Sequence, residues 1–221
     1  LFSILIKFQT ILPSPPLGGQ GVKLIPMSIY NKINAGFSLG TDAPVTAGIE
    51  DVIYIFNQGD ITLTYDTTNP LIVTGLTAAT GAHIYKFDGT NNSFNTSSKL
   101  AKTSVGPRYT EEIDFNIAGF SVDIKAQLMA MGYGRVCAIT VNNFSSSDSA
   151  IELFGAVNGL ILTDAERSAA DETVDGGYKL KLTNPDKLRE PYPPRAVSIP
   201  PTSGPATYSS TIAAIEALVA S

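Results

Sequence analysis

From Gly48 onward, apolar and polar residues alternate along the chain. "DVIYIFNQGDITLTYD" sets Val52, Tyr54 and Phe56, then Ile61, Leu63 and Tyr65, on one side, with Thr62 and Thr64 on the other. With Asn57–Asp60 as the turn, the pattern predicts a β-hairpin. "LIVTGL" and "AHIYKFDG" read as two further strands. The next twenty or so residues, "TNNSFNTSSKLAKTSVGPRYT", have no period and predict a long polar loop over 90–110, mobile in an isolated subunit and ordered once buried. "EEIDFNI" resumes the alternation, with Ile113, Phe115 and Ile117 opposite Glu112, Asp114 and Asn116.

One helix interrupts the strands. In "SVDIKAQLMAMG", Ser121 is placed to cap, Asp123 sits in the first turn, and Ile124, Leu128 and Met131 share a face, with Gly132 as the stop. "RVCAITV" predicts a strand. "AIELFGAVNGLILT" predicts a hairpin about an Asn158-Gly159 type I′ turn, and "GYKLKLT" closes a meander with its lysines outward. The fold class expected is mainly β: an antiparallel sandwich or barrel with one packed helix.

Composition shifts after Asn184. "NPDKLREPYPPRAVSIPPTSGPA" holds seven of the fourteen prolines and predicts an extended arm, and "SSTIAAIEALVAS" predicts a short helix. Ile212, Ile215, Leu218 and Val219 line one face of that helix. They either fold back on their own domain or dock on a neighbouring subunit, and they are the candidate inter-subunit residues. The organisation expected is an irregular N-terminal arm over 1–47, a β domain over 48–184, and the proline-rich arm with its helix over 185–221. The apolar "LFSILIKFQTIL" is too short to span a bilayer, and Met27 would make an ordinary start, so the residues before it fit upstream translation, a real arm or a truncated signal-peptide core.

The chemistry on offer is sparse. A single histidine, His83, and a single cysteine, Cys137, exclude an intrachain disulfide and leave little for His-based catalysis or a His/Cys metal site. Cys137 lies among apolar neighbours and reads as an inert core thiol. Glu112 and Asp114 share the polar face of their strand while Glu111 points away, so the trio is a solvated face rather than an acid/base group. Asp164, Glu166, Asp171, Glu172 and Asp175 form an acidic run without EF-hand spacing. No phosphate-loop, nucleophile-elbow or zinc-protease motif is present. The expectation is no enzyme, no cofactor and no metal. A net charge of −5 argues against non-specific nucleic-acid binding but suits a surface past which nucleic acid slides.

The stretch from Leu153 to Pro194 carries a more specific cadence. It runs through a strand, Asn158-Gly159-Leu160, a spacer, Asp175-Gly176-Gly177-Tyr178, alternating leucines, and Glu190-Pro191, with a helix and strand at 121–141 before it. Over residues 110–195 this resembles tail tube-like structural proteins of tailed bacteriophages, especially those infecting Bacteroidota. The proline-rich arm, the last helix and everything before Met27 depart from that pattern. The resemblance implies a virion structural protein, assembled in the host cytoplasm into rings, commonly hexameric, whose strands form a continuous barrel around a channel. Its partners would be further copies of itself, other virion proteins, and DNA passing without tight binding, with no membrane. Glu112 and Asp114 are then the candidate lumen residues, since an acidic lumen repels phosphate. The alternative is a secreted or cell-surface β-sandwich binding module, which would be extracellular.

Overall fold

A computed structural model describes residues 49–89, 93–104, 106–117, 121–143, 150–167 and 177–220. The expected N-terminal arm over 1–47 lies outside them. Eleven strands follow in chain order: β1 Ile49–Asn57, β2 Ile61–Tyr65, β3 Ile72–Ala78, β4 Tyr85–Asp88, β5 Asn95–Thr103, β6 Gly106–Ile117, β7 Val136–Asn142, β8 Ile151–Phe154, β9 Ile161–Arg167, β10 Tyr178–Thr183 and β11 Arg195–Val197. Helix α1, Val122–Tyr133, lies between β6 and β7, and α2, Tyr208–Glu216, follows β11. The fold is mainly β with mostly antiparallel pairing, as the alternation predicts.

Two sheets form. One has seven strands in the order β2-β3-β11-β8-β7-β1-β4, and the other has four in the order β5-β6-β10-β9. In the larger sheet β1 and β2 stand five strand spacings apart, which would be about 24 Å on a flat sheet. Only Gln58, Gly59 and Asp60 join them, a link that reaches about 14 Å. The sheet must therefore roll over on itself.

That roll creates two cores on opposite faces of the same strands. Ile53 and Ile55 of β1, with Val136 and Ala138 of β7, face the four-stranded sheet and meet Ile113, Phe115, Ile117, Leu180 and Leu182, together with Leu128 and Met131 of α1. Tyr54 and Phe56, with Cys137, Ile139 and Val141, face the other way, into the roll, and meet Ile61, Val73, Leu153, Val197 and Ile215. A strand buried on both faces carries a continuous apolar run, which is how "VCAITV" reads.

Three expectations are corrected here. Residues 49–65 are two strands joined by a tight turn but not a hairpin: β1 pairs with β4 and β7, and β2 pairs with β3. The hairpin about Asn158-Gly159 is likewise absent, because β8 stays in the large sheet while β9 crosses to the small one. The predicted loop over 90–110 is instead mostly the β5–β6 hairpin, paired from Asn95↔Asp114 to Thr103↔Gly106. No side chain of its outer half is fully buried, so selection for alternating polarity is weak there and the period vanishes.

Helix α1 starts as expected, with the Ser121 hydroxyl accepting from the Ile124 N–H at 3.2 Å. It runs through Gly132 and ends at Tyr133 rather than stopping at Gly132.

The proline-rich segment is extended, but it is not an arm. Its residues 195–197 form β11, an interior strand held by β8 on one side and β3 on the other. Pro193 and Pro194 precede the strand, where a missing N–H breaks no ladder. Beyond it, α2 is closed by a capping box between Thr207 and Ser210 and lies on the second core. Ile215 is 0% exposed, while Ile212, Leu218 and Val219 pack partly buried around it. Past the helix, Ile84 donates to Leu218 O and Ala220 donates back to Ile84 O. The candidate inter-subunit residues are thus spent on the chain's own core, because the rolled sheet leaves an apolar mouth that α2 fills. The expected boundary at 184/185 disappears, since the described residues all fall in one compact unit, Gly40–Ser221.

Candidate functional site

The four-stranded sheet buries one face against the first core and turns the other to solvent. Strand alternation places Glu112, Asp114 and Asn116 on the solvent face of β6, because Ile113, Phe115 and Ile117 are needed inside. Register then decides their neighbours. Lys181 of β10 stands opposite Asp114, and Lys179 opposite Asn116. On the far side of β10, Asp164 stands opposite Lys181 and Glu166 opposite Lys179. The face is striped, with acidic columns on β6 and β9 flanking a basic column on β10.

Lys181 donates to the Glu112 carboxylate and lies 3.7 Å from an Asp114 oxygen. The adjoining Glu112 pushes the Lys181 ammonium above its usual range. Such exposed pairs contribute little to stability but fix register. The candidate lumen residues therefore share one exposed face, as expected, with their charge partly met by lysine. Arg108 of β6 and Lys99 of β5 lie in phase with Glu112 on the same face, so its four carboxylates are balanced by four cations, with Glu112 and Asp114 gathered at one end of β6.

Both lateral edges of this sheet are open. Among the described residues β5 pairs only with β6, and β9 only with β10. The edges differ in charge: β5 carries Lys99 and Lys102 and no acid, whereas β9 carries Asp164 and Glu166 beside Arg167. Among the described residues neither edge strand contains proline or pairs with a further strand, although β9 carries a bulge at Thr163, where Lys181 pairs with Asp164 and Leu182 with Leu162.

Beneath the sheet lies a buried polar cluster that the sequence reading passed over. Glu111 is in phase with Ile113 and Phe115, so alternation drives it inward, where it is 1% exposed. Its carboxylate accepts from the Gly155 N–H at 2.6 Å, tying the small sheet to the turn that leaves β8. Asn184 Oδ1 accepts from the Glu111 N–H at 2.6 Å. Glu190 accepts from the N–H groups of Val157 and Asn158 at 3.2 and 2.8 Å. Arg195 is buried with its guanidinium 4.2 Å from the Tyr65 ring centre and 4.7 Å from that of Tyr192.

Burial raises the Glu111 carboxyl to about 8, against the pull of its Gly155 hydrogen bond and with the push of nearby Glu190, so it is mostly protonated at neutral pH. Glu190 is also raised by burial, although its two N–H donors and Arg195 oppose the rise. Cys137 donates to Gly155 O at 3.2 Å and is pushed up to about 12 by burial, so it stays an inert thiol. The phase of Glu111 with the strand's apolar residues was the available signal.

The turn over this cluster requires glycine. Gly155 has φ +70, and a Cβ there would lie 2.9 Å from Leu160 Cγ and 3.1 Å from the Gly159 carbonyl carbon. A Gly155→Ala variant should therefore lose about 2–4 kcal/mol, combining left-handed backbone strain with overpacking. Chemical denaturation would measure the loss, and an unchanged midpoint would show that the turn adapts.

Asp171, Glu172 and Asp175 of the acidic run lie outside the described residues. Among those described, no group of three or more His, Cys, Asp or Glu is positioned for a metal ion. His83 is exposed. No described helix is long and apolar enough to cross a membrane. In comparisons with known proteins, no protein-family model, curated protein or solved structure matches the chain.

Proposed function

We propose that the chain is a structural subunit that assembles with copies of itself into rings, stacked as a tube of the phage-tail type, along whose polar face DNA passes without tight binding. The observation that carries the reading is the four-stranded sheet, with two unpaired edges of opposite charge and one solvated face that carries Glu112 and Asp114. Adding β5 of one copy to β9 of the next continues the sheet and brings Lys99 to the face that carries Asp164 and Glu166. Such a head-to-tail contact closes into a ring when its rotation permits. The striped face would then line the channel, with the Glu112 and Asp114 carboxylates repelling phosphate where they cluster on β6.

Negative-stain microscopy of the purified protein should show rings or tubes. Monodisperse single subunits at high concentration would overturn the reading and favour a monomeric binding module. A Glu112→Lys/Asp114→Lys variant tests the channel face. Each change exchanges one negative charge for a positive one, shifting the face by about four units per subunit. Assembly should persist while DNA affinity appears at low salt and falls steeply as salt rises. Indifference to DNA at low salt would remove Glu112 and Asp114 from any channel, and loss of assembly would place them at a contact.

A further inference from the structure

Helix α1 has a second apolar seam. Val122, Ala126, Met129 and Tyr133 follow the i, i+4, i+7, i+11 spacing of one helix face. At 100° per residue that line lies about 170° around the helix from Ile124, Leu128 and Met131, which face the core. Val122 is 78% exposed, Met129 64% and Tyr133 89%. Three of the eight large hydrophobic residues exposed among the described residues thus fall on one line, so this is a patch rather than scatter.

The position of α1 says what covers the patch. The helix packs against β9, the acidic open edge of the small sheet. A strand added to that edge turns its inner-face side chains to the side of the sheet that α1 occupies. In β5 the inner face is marked by pairing. Leu100 stands opposite Tyr109, in phase with buried Glu111, and is itself 62% exposed. Leu100 is the one large apolar side chain on β5.

Strand addition between two polar edges buries mostly polar surface. A stable interface needs about 800 Å² per partner with an apolar centre. The α1 seam supplies that centre beside the edge that would accept the strand. We infer that the Val122–Ala126–Met129–Tyr133 seam is the apolar heart of a contact between two copies of this chain, covered by the β5 edge of the second copy with Leu100 against it. The inference rests on the subunit reading above and adds to it which surface holds the copies together.

The test uses the full chain and sedimentation velocity over a concentration series, with circular dichroism to confirm folding. Met129→Lys should weaken self-association about tenfold or more, and Leu100→Glu should do the same. Because each copy offers α1 to one neighbour and β5 to the other, an equimolar mixture of the two single variants should form pairs that neither forms alone. The Met129→Lys/Leu100→Glu chain should recover association that is weakened by salt. Tyr133→Lys serves as a second probe of the seam should Met129→Lys fail to fold. If Met129→Lys and Tyr133→Lys associate like the unaltered chain, the seam is not a contact, while the subunit reading stands. If they weaken association but neither the mixture nor the double variant restores it, Leu100 is not the occupant and the inference falls. If the unaltered chain does not self-associate at any concentration, both fall together.

Discussion

A chain ending at Asn184 should not fold. Truncation there removes β11 from the interior of the large sheet, leaving the carbonyls of Leu71 and Val73 without the N–H groups of Ala196 and Ser198 that they accept from. It also takes Val197, Ile199 and Ile215 out of the second core and uncovers the mouth of the roll. Those three side chains alone contribute about 5–8 kcal/mol of burial, against a total stability of about 5–15 kcal/mol for an ordinary domain. The truncated chain should lose its cooperative thermal transition and its near-ultraviolet circular dichroism. A soluble truncated domain with native-like spectra would show that 185–221 is an arm after all.

The second large effect concerns pH. A Glu111→Gln variant should be more stable than the unaltered chain at pH 8, and the gap should close as pH falls toward 5. Glu111 has an ordinary value of 4.5 and is raised to about 8 by burial. Between those values the folded chain binds a proton that the unfolded chain has released, so stability falls as pH rises through that window. Below it, both states are protonated and the group contributes no pH dependence. Above it, the loss is complete, amounting to several kcal/mol on the order of the full shift. Glu190 and Glu152 are raised by burial as well and add to the slope, so the difference between the two proteins, not either profile alone, reports Glu111. Melting temperatures recorded from pH 5 to 9 would measure it. Parallel profiles would mean that Glu111 does not stay buried and protonated.

Much of this architecture is legible residue by residue. The alternation in "EEIDFNI" placed Ile113, Phe115 and Ile117 in the core and Glu112 and Asp114 outside, because a sheet with one wet face imposes period two. Ser121, Ile124, Leu128 and Met131 gave α1 its start and its buried face. The candidate site was half visible. Glu112, Asp114 and the lysines of β10 could be assigned to outward positions, but Asp164 and Glu166 read only as an acidic run in a loop, and the stripe depends on their lying in β9 with β10 between it and β6. Glu111 was missed because a charged side chain was read as solvated, although its phase with the apolar residues of β6 pointed inward. The second apolar face of α1 was missed for the opposite reason. The line that buries and the line that does not have the same spacing, and only packing tells them apart.

The sequence by itself determined both helices and most of the strands, the polar β5 and the short β11 excepted, together with the tight turns and the residues of a one-sided strand that face inward. These are properties of a few neighbouring residues, set by backbone sterics, capping and the period of the element. Only the tertiary structure decided which strands pair. A turn at Gln58–Asp60 is written in local chemistry, yet whether its flanking strands form a hairpin or lie on opposite flanks of a rolled sheet depends on what each buries on its other face. For β1 and β7 both faces are buried, so their apolar runs name no partner. The same holds for the proline-rich segment, whose extended backbone is local but whose place between β3 and β8 exists only because the rolled sheet leaves a gap one strand wide.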